Sequence, residues 1–366
     1  YWPARPVLQG LNYIMQIAII NDTHCGTKNG SDVFLNNAEQ FYKNVFFPYL
    51  KEHNIKTILH LGDYFEHRKY VNFKALNRKK RMFLDELQNN EIHMTIIPGN
   101  HDVYYKNTNE LNSLRELLSQ NSFSVSIYED PVDLPFDGMT IGMVPWICPE
   151  NEERCLDFLE NSKSNIIMGH FELGGFQYMA NAGIQSHGMD RSKLKRFEAV
   201  YSGHYHTKST QDNVTYLGTQ LELTWNDAGD PKYFHVFDTD TREMTAIRNP
   251  YTLFERITYD EENPIQLRES LIANKYIKIV VISKKNLFEF DKFLEKVYNF
   301  NPHEVKIIET FEEYAGDSVD DEKISTANTQ TLLNEYVDAT ETNLDNDKLK
   351  KMLQELYVEA QAHDSI

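Results

Sequence analysis

Between Met15 and about Thr239 the chain alternates short apolar runs with stretches of helical period. The runs read MQIAII, KTILHL, MTIIP, MTIGMVP, NIIMG, AVYSG, VTYLG and YFHVF. Runs of this length bounded by Gly, Asn and Pro predict buried strands, and the amphipathic stretches between them predict a layered α/β fold. MTAIRN and TLFERITY lead out of this core. Further on, YIKIVVIS predicts a strand, NLFEFDKFLEKVYNF a helix and EVKIIE a second strand, a small α+β unit.

An acidic, polar stretch then predicts a linker, and two helices close the chain. The first carries Leu332, Leu333 and Tyr336; the second carries Leu349, Met352, Leu353, Leu356 and Tyr357 at helical spacing. So small a pair cannot bury its own stripe, which predicts a partner groove. The division expected is a main domain over 15–255, a small domain over 256–312, a linker over 313–327 and a helix pair over 328–362. Residues 1–14 are read as a leader that is not native to the protein.

The net charge of −18 argues at first against a nucleic-acid partner. It is unevenly placed: from Ile307 onward there are 15 Asp/Glu against 4 Lys/Arg, which leaves −7 for the residues before. Bound divalent cations would offset part of that remainder. No apolar run approaches the roughly 20 residues of a membrane span, so no membrane association is expected. Cys25, Cys148 and Cys155 lack paired spacing, which predicts a reducing, cytoplasmic setting and no thiolate zinc.

The polar residues that end the apolar runs carry the chemistry. MQIAIIN leads to Asp22 and His24, KTILHLG to Asp63, and MTIIPG to Asn100, His101 and Asp102. NIIMG leads to His170, and AVYSG to His204 and His206. In α/β sheets this is the edge where loops converge on a ligand. The donors are all nitrogen and oxygen and too many for one metal, so two divalent ions sharing a carboxylate are expected. Asp63 is the candidate bridge, with Asp22, His24 and His206 on one ion and Asn100, His170 and His204 on the other. Such a donor set suits Mn²⁺, Fe²⁺ or Zn²⁺. Two ions of this kind can clamp a phosphate, with His101 protonating the leaving oxygen and Asp102 orienting His101.

The dense basic stretch HRKYVNFKALNRKKRM follows the Asp63 loop, and phosphate contact is expected there, led by Arg68 and Lys69. Its alternative is a solvated helix face. Tyr104, Tyr105 and Lys106 could stack on a base, or could pack their loop against the core.

The ordered set DTH, GDYF, GNHD, GH and GHYH resembles the calcineurin-like metallophosphoesterase superfamily. Within it, LGDYFEHRKY, PGNHDVYYKN, VPWICPEN, GHFELGGF, SHGM and YSGHYHT most resemble the nuclease subunits of double-strand-break repair complexes of SbcD and Mre-eleven type, in their T-even phage branch. The resemblance implies a four-layer α/β/β/α sandwich with a capping domain beside DNA and a C-terminal helix pair. It implies the seven ligands just named, His101 as the catalytic histidine, and manganese-dependent 3′-to-5′ exonuclease and single-strand endonuclease activity. It also implies an SbcC or Rad-fifty type coiled-coil ATPase as partner, and a homodimer through helices near 73–89 and 108–120. A phage-encoded member would work in the host cytoplasm. One position departs: Glu66 stands where cellular members often carry histidine, with His67 next. The rival readings are a phosphatase or phosphodiesterase acting on other substrates, and a scaffold for DNA ends without chemistry.

Overall fold

The computed structural model describes residues 15–118, 124–136, 138–180 and 184–309, together with 337, 346 and 348–350. Residues 309–366 form a compact unit of their own. There Leu349 is helical, while Leu332, Leu333, Tyr336, Met352, Leu353, Leu356 and Tyr357 lie outside the described residues, as do 1–14 and the linker.

Two six-stranded sheets form the main body. The first runs β12 (Met244–Arg248), β11 (Tyr233–Asp238), β1 (Gln16–Ile20), β2 (Thr57–His60), β3 (His93–Ile96) and β4 (Val125–Ile127). The second runs β5 (Val132–Phe136), β6 (Met139–Val144), β7 (Ile166–Gly169), β8 (Ala199–Ser202), β10 (Val214–Tyr216) and β9 (Ser209–Gln211). Strands β1 to β4 pair in parallel, as do β6, β7, β8 and β10. MTAIRN therefore does not lead out of the core; it turns back as β12 and closes the edge of the first sheet, antiparallel to β11.

Successive side chains on a strand face opposite ways, and each inner strand uses both faces. On β1, Ile17 and Ile19 join the cluster between the sheets with Ile141, Met143, Ile166 and Met168, while Ala18 and Ile20 join the cluster under the helices. On β7, Ile167 turns to the cluster beneath the helix of the second sheet. Three apolar clusters separating four layers make an α/β/β/α sandwich.

The helical layer on the first sheet comprises α1 (Asp32–Phe41), α2 (Phe47–Glu52), α3 (Phe73–Lys79) and α4 (Asp85–Asn89), with π-helical turns at 42–46 and 80–84. Short α5 (Ser113–Leu118) follows β3, and α6 (Glu152–Asn161) covers the second sheet. Lys79, inside the basic stretch, is 1% exposed. Its Nζ donates to Tyr42 Oη at 2.6 Å and lies 4.5 to 4.8 Å from the ring centres of Tyr42, Phe83 and Tyr64. Burial lowers its pKa to about 7, with Cys25 a weaker opposing influence.

A separate three-stranded sheet, β13 (Phe254–Asp260), β14 (Tyr276–Ser283) and β15 (Glu304–Glu309), packs on α7 (Leu287–Asn299) around Ile257, Ile277, Ile279, Phe290 and Val297. TLFERITY supplies β13, so this sheet begins ahead of the expected boundary at 255/256. Among the described residues no helix is long and apolar enough to cross a membrane.

Candidate metal centre

The parallel strands of both sheets end at one edge, and their following loops bring seven donors together. Asp22, His24 and His206 place one ligand atom each within 4.8 Å of one another; Asp63, His170 and His204 do the same. Each group takes residues from both sheets. His24 Nε2 lies 3.2 Å from His206 Nε2 and 3.9 Å from both Asp22 Oδ1 and Asp63 Oδ2. His170 Nε2 lies 3.4 Å from Asp63 Oδ2, and Asn100 Oδ1 sits 3.0 Å from that nitrogen and 2.9 Å from His204 Nδ1.

Asp63 therefore stands between the groups, though not with one oxygen for each. Oδ1 accepts the backbone N–H of His101 at 2.7 Å, and Oδ2 alone faces His24 and His170. Asp22 is held in a similar way, accepting the His204 N–H at 2.9 Å and the Asn21 amide at 2.5 Å. His170 Nδ1 donates to Leu61 O at 2.7 Å, which turns its Nε2 to the site.

The loops adopt conformations that side chains seldom take. Asp22, His24, Asp63 and His204 have φ of 48°, 40°, 54° and 83°. Each such residue costs on the order of 1–3 kcal/mol, and such strain clusters at functional sites. The neighbouring glycines answer a need for space. A Cβ on Gly99 would lie 2.2 Å from Asp63 Oδ1, and one on Gly62, itself at φ 90°, would lie 2.6 Å from His170 Nδ1.

The electrostatics suit bound cations. Burial alone would raise Asp63, but His170 and His101 hold it well below the usual carboxylate range. Asp22 is raised by burial, only partly countered by His170. Burial opposes charge on His24 and His170 too, yet Glu66 lifts His24 to about 10 and Asp63 lifts His170 to about 9. Burial pushes His204 down to about 3 and His206 well below its ordinary value, so both are neutral, as ligands must be. Two carboxylates, one amide oxygen and four imidazoles converge here, a donor set that fits divalent ions, whose binding would displace the protons that His24 and His170 otherwise hold.

His101 and Asp102 part company with expectation. Asp102 does not reach the His101 ring: its carboxylate accepts the N–H groups of Tyr64, Phe65 and Gly99 at 2.9 to 3.2 Å, tying the Asp63 loop to the Asn100 loop. The partner of His101 Nδ1 is Glu66 O, at 2.5 Å. Glu66 also reaches His24, its Oε2 lying 3.0 Å from Nδ1. The sequence marked Glu66 only as a departure and gave it no role, and it gave none to Trp146, whose ring centre is 5.4 Å from that of His204 and whose buried Nε1 has no partner among the described residues. Trp146 follows β6 at the same sheet edge, the signal that marked the other residues.

The basic stretch divides. Lys74 and Arg78 pair with Asp32 and Glu39 of α1, and Lys79 is internal, so those three do not form an open basic face. Arg68 is half-buried, its Nη1 without a partner among the described residues, and Lys69 is exposed. Burial lowers Arg68, with Asp63 as the counterweight. Tyr104 meets Tyr105 edge-on at 4.7 Å; Tyr105 is 52% exposed and Lys106 is exposed.

Residues 15–208 match the family of calcineurin-like phosphoesterases. Exonuclease subunit 1 of Enterobacteria phage T4 is 33% identical over 349 residues, which cover 94% of this chain and 99% of that protein. Among solved structures, an archaeal phosphodiesterase shares 12% identity at a TM-score of 0.32 over 64% of this chain and 100% of its own. A purple acid phosphatase from yellow lupin (Lupinus luteus) seeds shares 13% at 0.35, over 65% of this chain and 46% of its own. Both scores are too low to bear on the chemistry.

Proposed function

Because this chain belongs to the calcineurin-like phosphoesterases, and among them to the nucleases related to the phage T4 exonuclease subunit, we propose that it cleaves DNA with two divalent ions as part of an ATP-regulated double-strand-break repair and recombination complex. The chain is a metal-dependent nuclease. The observation that carries the two-ion reading is Asp63 Oδ2, which faces the histidines of both donor groups at once. Asp22, His24 and His206 would hold one ion, Asn100, His170 and His204 the other, and Asp63 both. Mn²⁺ fits the mixed oxygen and imidazole donors, with Mg²⁺, Fe²⁺ and Zn²⁺ as the other candidates. When bound, such ions polarise a phosphoryl oxygen and make water a stronger nucleophile.

The protein's own residues do the rest. A carbonyl only accepts, so the bond to Glu66 O requires the proton on His101 Nδ1. That bond persists whether the ring is neutral or charged, so Nε2 can give or take a proton without the ring turning. His101 thus serves as the proton donor to the leaving oxygen. Arg68 and Lys69 would take the phosphates on one side, and Tyr105 and Lys106 the strand beyond. Phe73, 84% exposed at the start of α3, and Tyr70, 49% exposed, support the 73–89 helices as the homodimer surface. The C-terminal helices would dock on the coiled-coil ATPase, and the small domain would flank the DNA.

The test is cleavage of an end-labelled duplex with Mn²⁺, Mg²⁺ or EDTA, wild type against His101→Ala. Mn²⁺-dependent shortening from the 3′ end, lost in the variant while metal is retained, is the expected result. No cleavage with any metal, even with the ATPase partner and ATP, would overturn it.

A further inference from the structure

An imidazole that binds a metal through one nitrogen is aimed by whatever holds the other. His24 turns Nε2 towards His206 Nε2 at 3.2 Å, so its Nδ1 points away from the donor group, and there it lies 3.0 Å from Glu66 Oε2. The approach is off-line, an ion-pair contact rather than an aligned hydrogen bond. Among the described residues no other carboxylate competes for that nitrogen. The Thr27 hydroxyl, 2.6 Å from His24 O and 3.2 Å from Glu66 Oε2, has one proton and gives it to the shorter contact. Glu66 is itself fixed, because its N–H donates to Cys25 O at 3.1 Å and laces its loop to the one carrying His24. Its side chain is only 25% exposed, and a carboxylate so placed needs a charged or donating partner.

We infer that Glu66 is a positioning residue for the ion site of Asp22, His24 and His206, holding the His24 ring so that Nε2 is presented to the metal. The inference rests on the two-ion reading above. Glu66 acts twice, and by separable means. Its carboxylate aims His24, while its backbone carbonyl fixes the tautomer of His101. Substituting the side chain removes the first action and leaves the second.

The test uses the full chain stripped of metal and titrated with Mn²⁺ by calorimetry, for wild type, Glu66→Ala and the near-isosteric Glu66→Gln. Wild type should take two ions. Glu66→Ala should weaken one of them by about tenfold to a hundredfold and leave the other unchanged. Glu66→Gln, which keeps an accepting oxygen and loses the charge, should fall between. In the Zn²⁺-loaded protein, nitrogen NMR of the rings should show the Nδ1 proton of His24 exchanging faster in Glu66→Ala while that of His101 persists. Two wild-type affinities in Glu66→Ala, or equal loss at both sites, would overturn the inference. A wild type that binds fewer than two ions would instead bring down the two-ion reading.

Discussion

Substituting Lys79 by methionine removes a buried ammonium while keeping most of its volume. The folded lysine releases its proton near pH 7, against an ordinary value of 10.5. Between those values the unfolded chain binds more protons than the folded one, so stability rises with pH through that window. At about pH 6 the ammonium costs about 5 kcal/mol relative to the unfolded chain, falling to about 2 kcal/mol at about pH 9. The surrounding groups do not titrate within the window: burial holds the Cys25 thiol at about 11, pushes the Tyr42 and Tyr64 hydroxyls well up and keeps His60 neutral. The variant also strips the Tyr42 hydroxyl of its donor, a loss of about 1–3 kcal/mol that is the same at every pH. Urea unfolding followed by tryptophan fluorescence should find the variant's advantage over wild type about 3 kcal/mol smaller at about pH 9 than at about pH 6. A difference that does not change with pH would refute the reasoning. It would mean that the three rings, each able to give a cation on the order of 0.5–2 kcal/mol, hold the proton on Lys79 throughout.

Three further outcomes follow from the site and its supports. Gly99→Ala should leave the strands folded yet displace Asp63, reducing bound metal more than about tenfold by elemental analysis, at an overpacking cost of about 1–3 kcal/mol; wild-type metal content would contradict this. Lys232 donates to Asp227 at 2.6 Å, to Asp230 at 2.9 Å and to His206 O at 3.0 Å, so Lys232→Met should cost about 3–5 kcal/mol in denaturant unfolding, and a loss under about 1 kcal/mol would count against a tight buried pair. Mn²⁺ at about a hundredfold over its dissociation constant should add about 2.7 kcal/mol per site, and a melting temperature that EDTA leaves unchanged would argue against ion binding.

Much of the architecture is legible because buried parallel strands are continuous apolar runs, and the donors follow them directly. The edge strands are less so. β4, β9 and the β12 turn-back are short or half-exposed, and nothing local marks which sheet they join. Asp102 beside His101 invited a side-chain pairing, but adjacent residues on a turn point apart, and the carboxylate went to three backbone donors instead. Glu66 and Lys79 were illegible for a shared reason. A charged residue in a charged stretch looks solvated, and only the packing of the DTH loop and of the aromatic rings shows otherwise.

Each donor group draws on both sheets, and an ion held there acts as a rivet through the sandwich. Asp22, His24 and Asp63 belong to one plate; His170, His204 and His206 belong to the other. Sliding one plate by a single residue, about 3.3 Å, would open both groups, since their atoms lie within 4.8 Å. Metal affinity is therefore a gauge of sheet alignment. A substitution among Ile17, Ile19, Met143 or Met168, all distant in sequence from most of the donors, would register first as a change in bound metal. By linkage, ions bound there would in turn hold the two sheets in register.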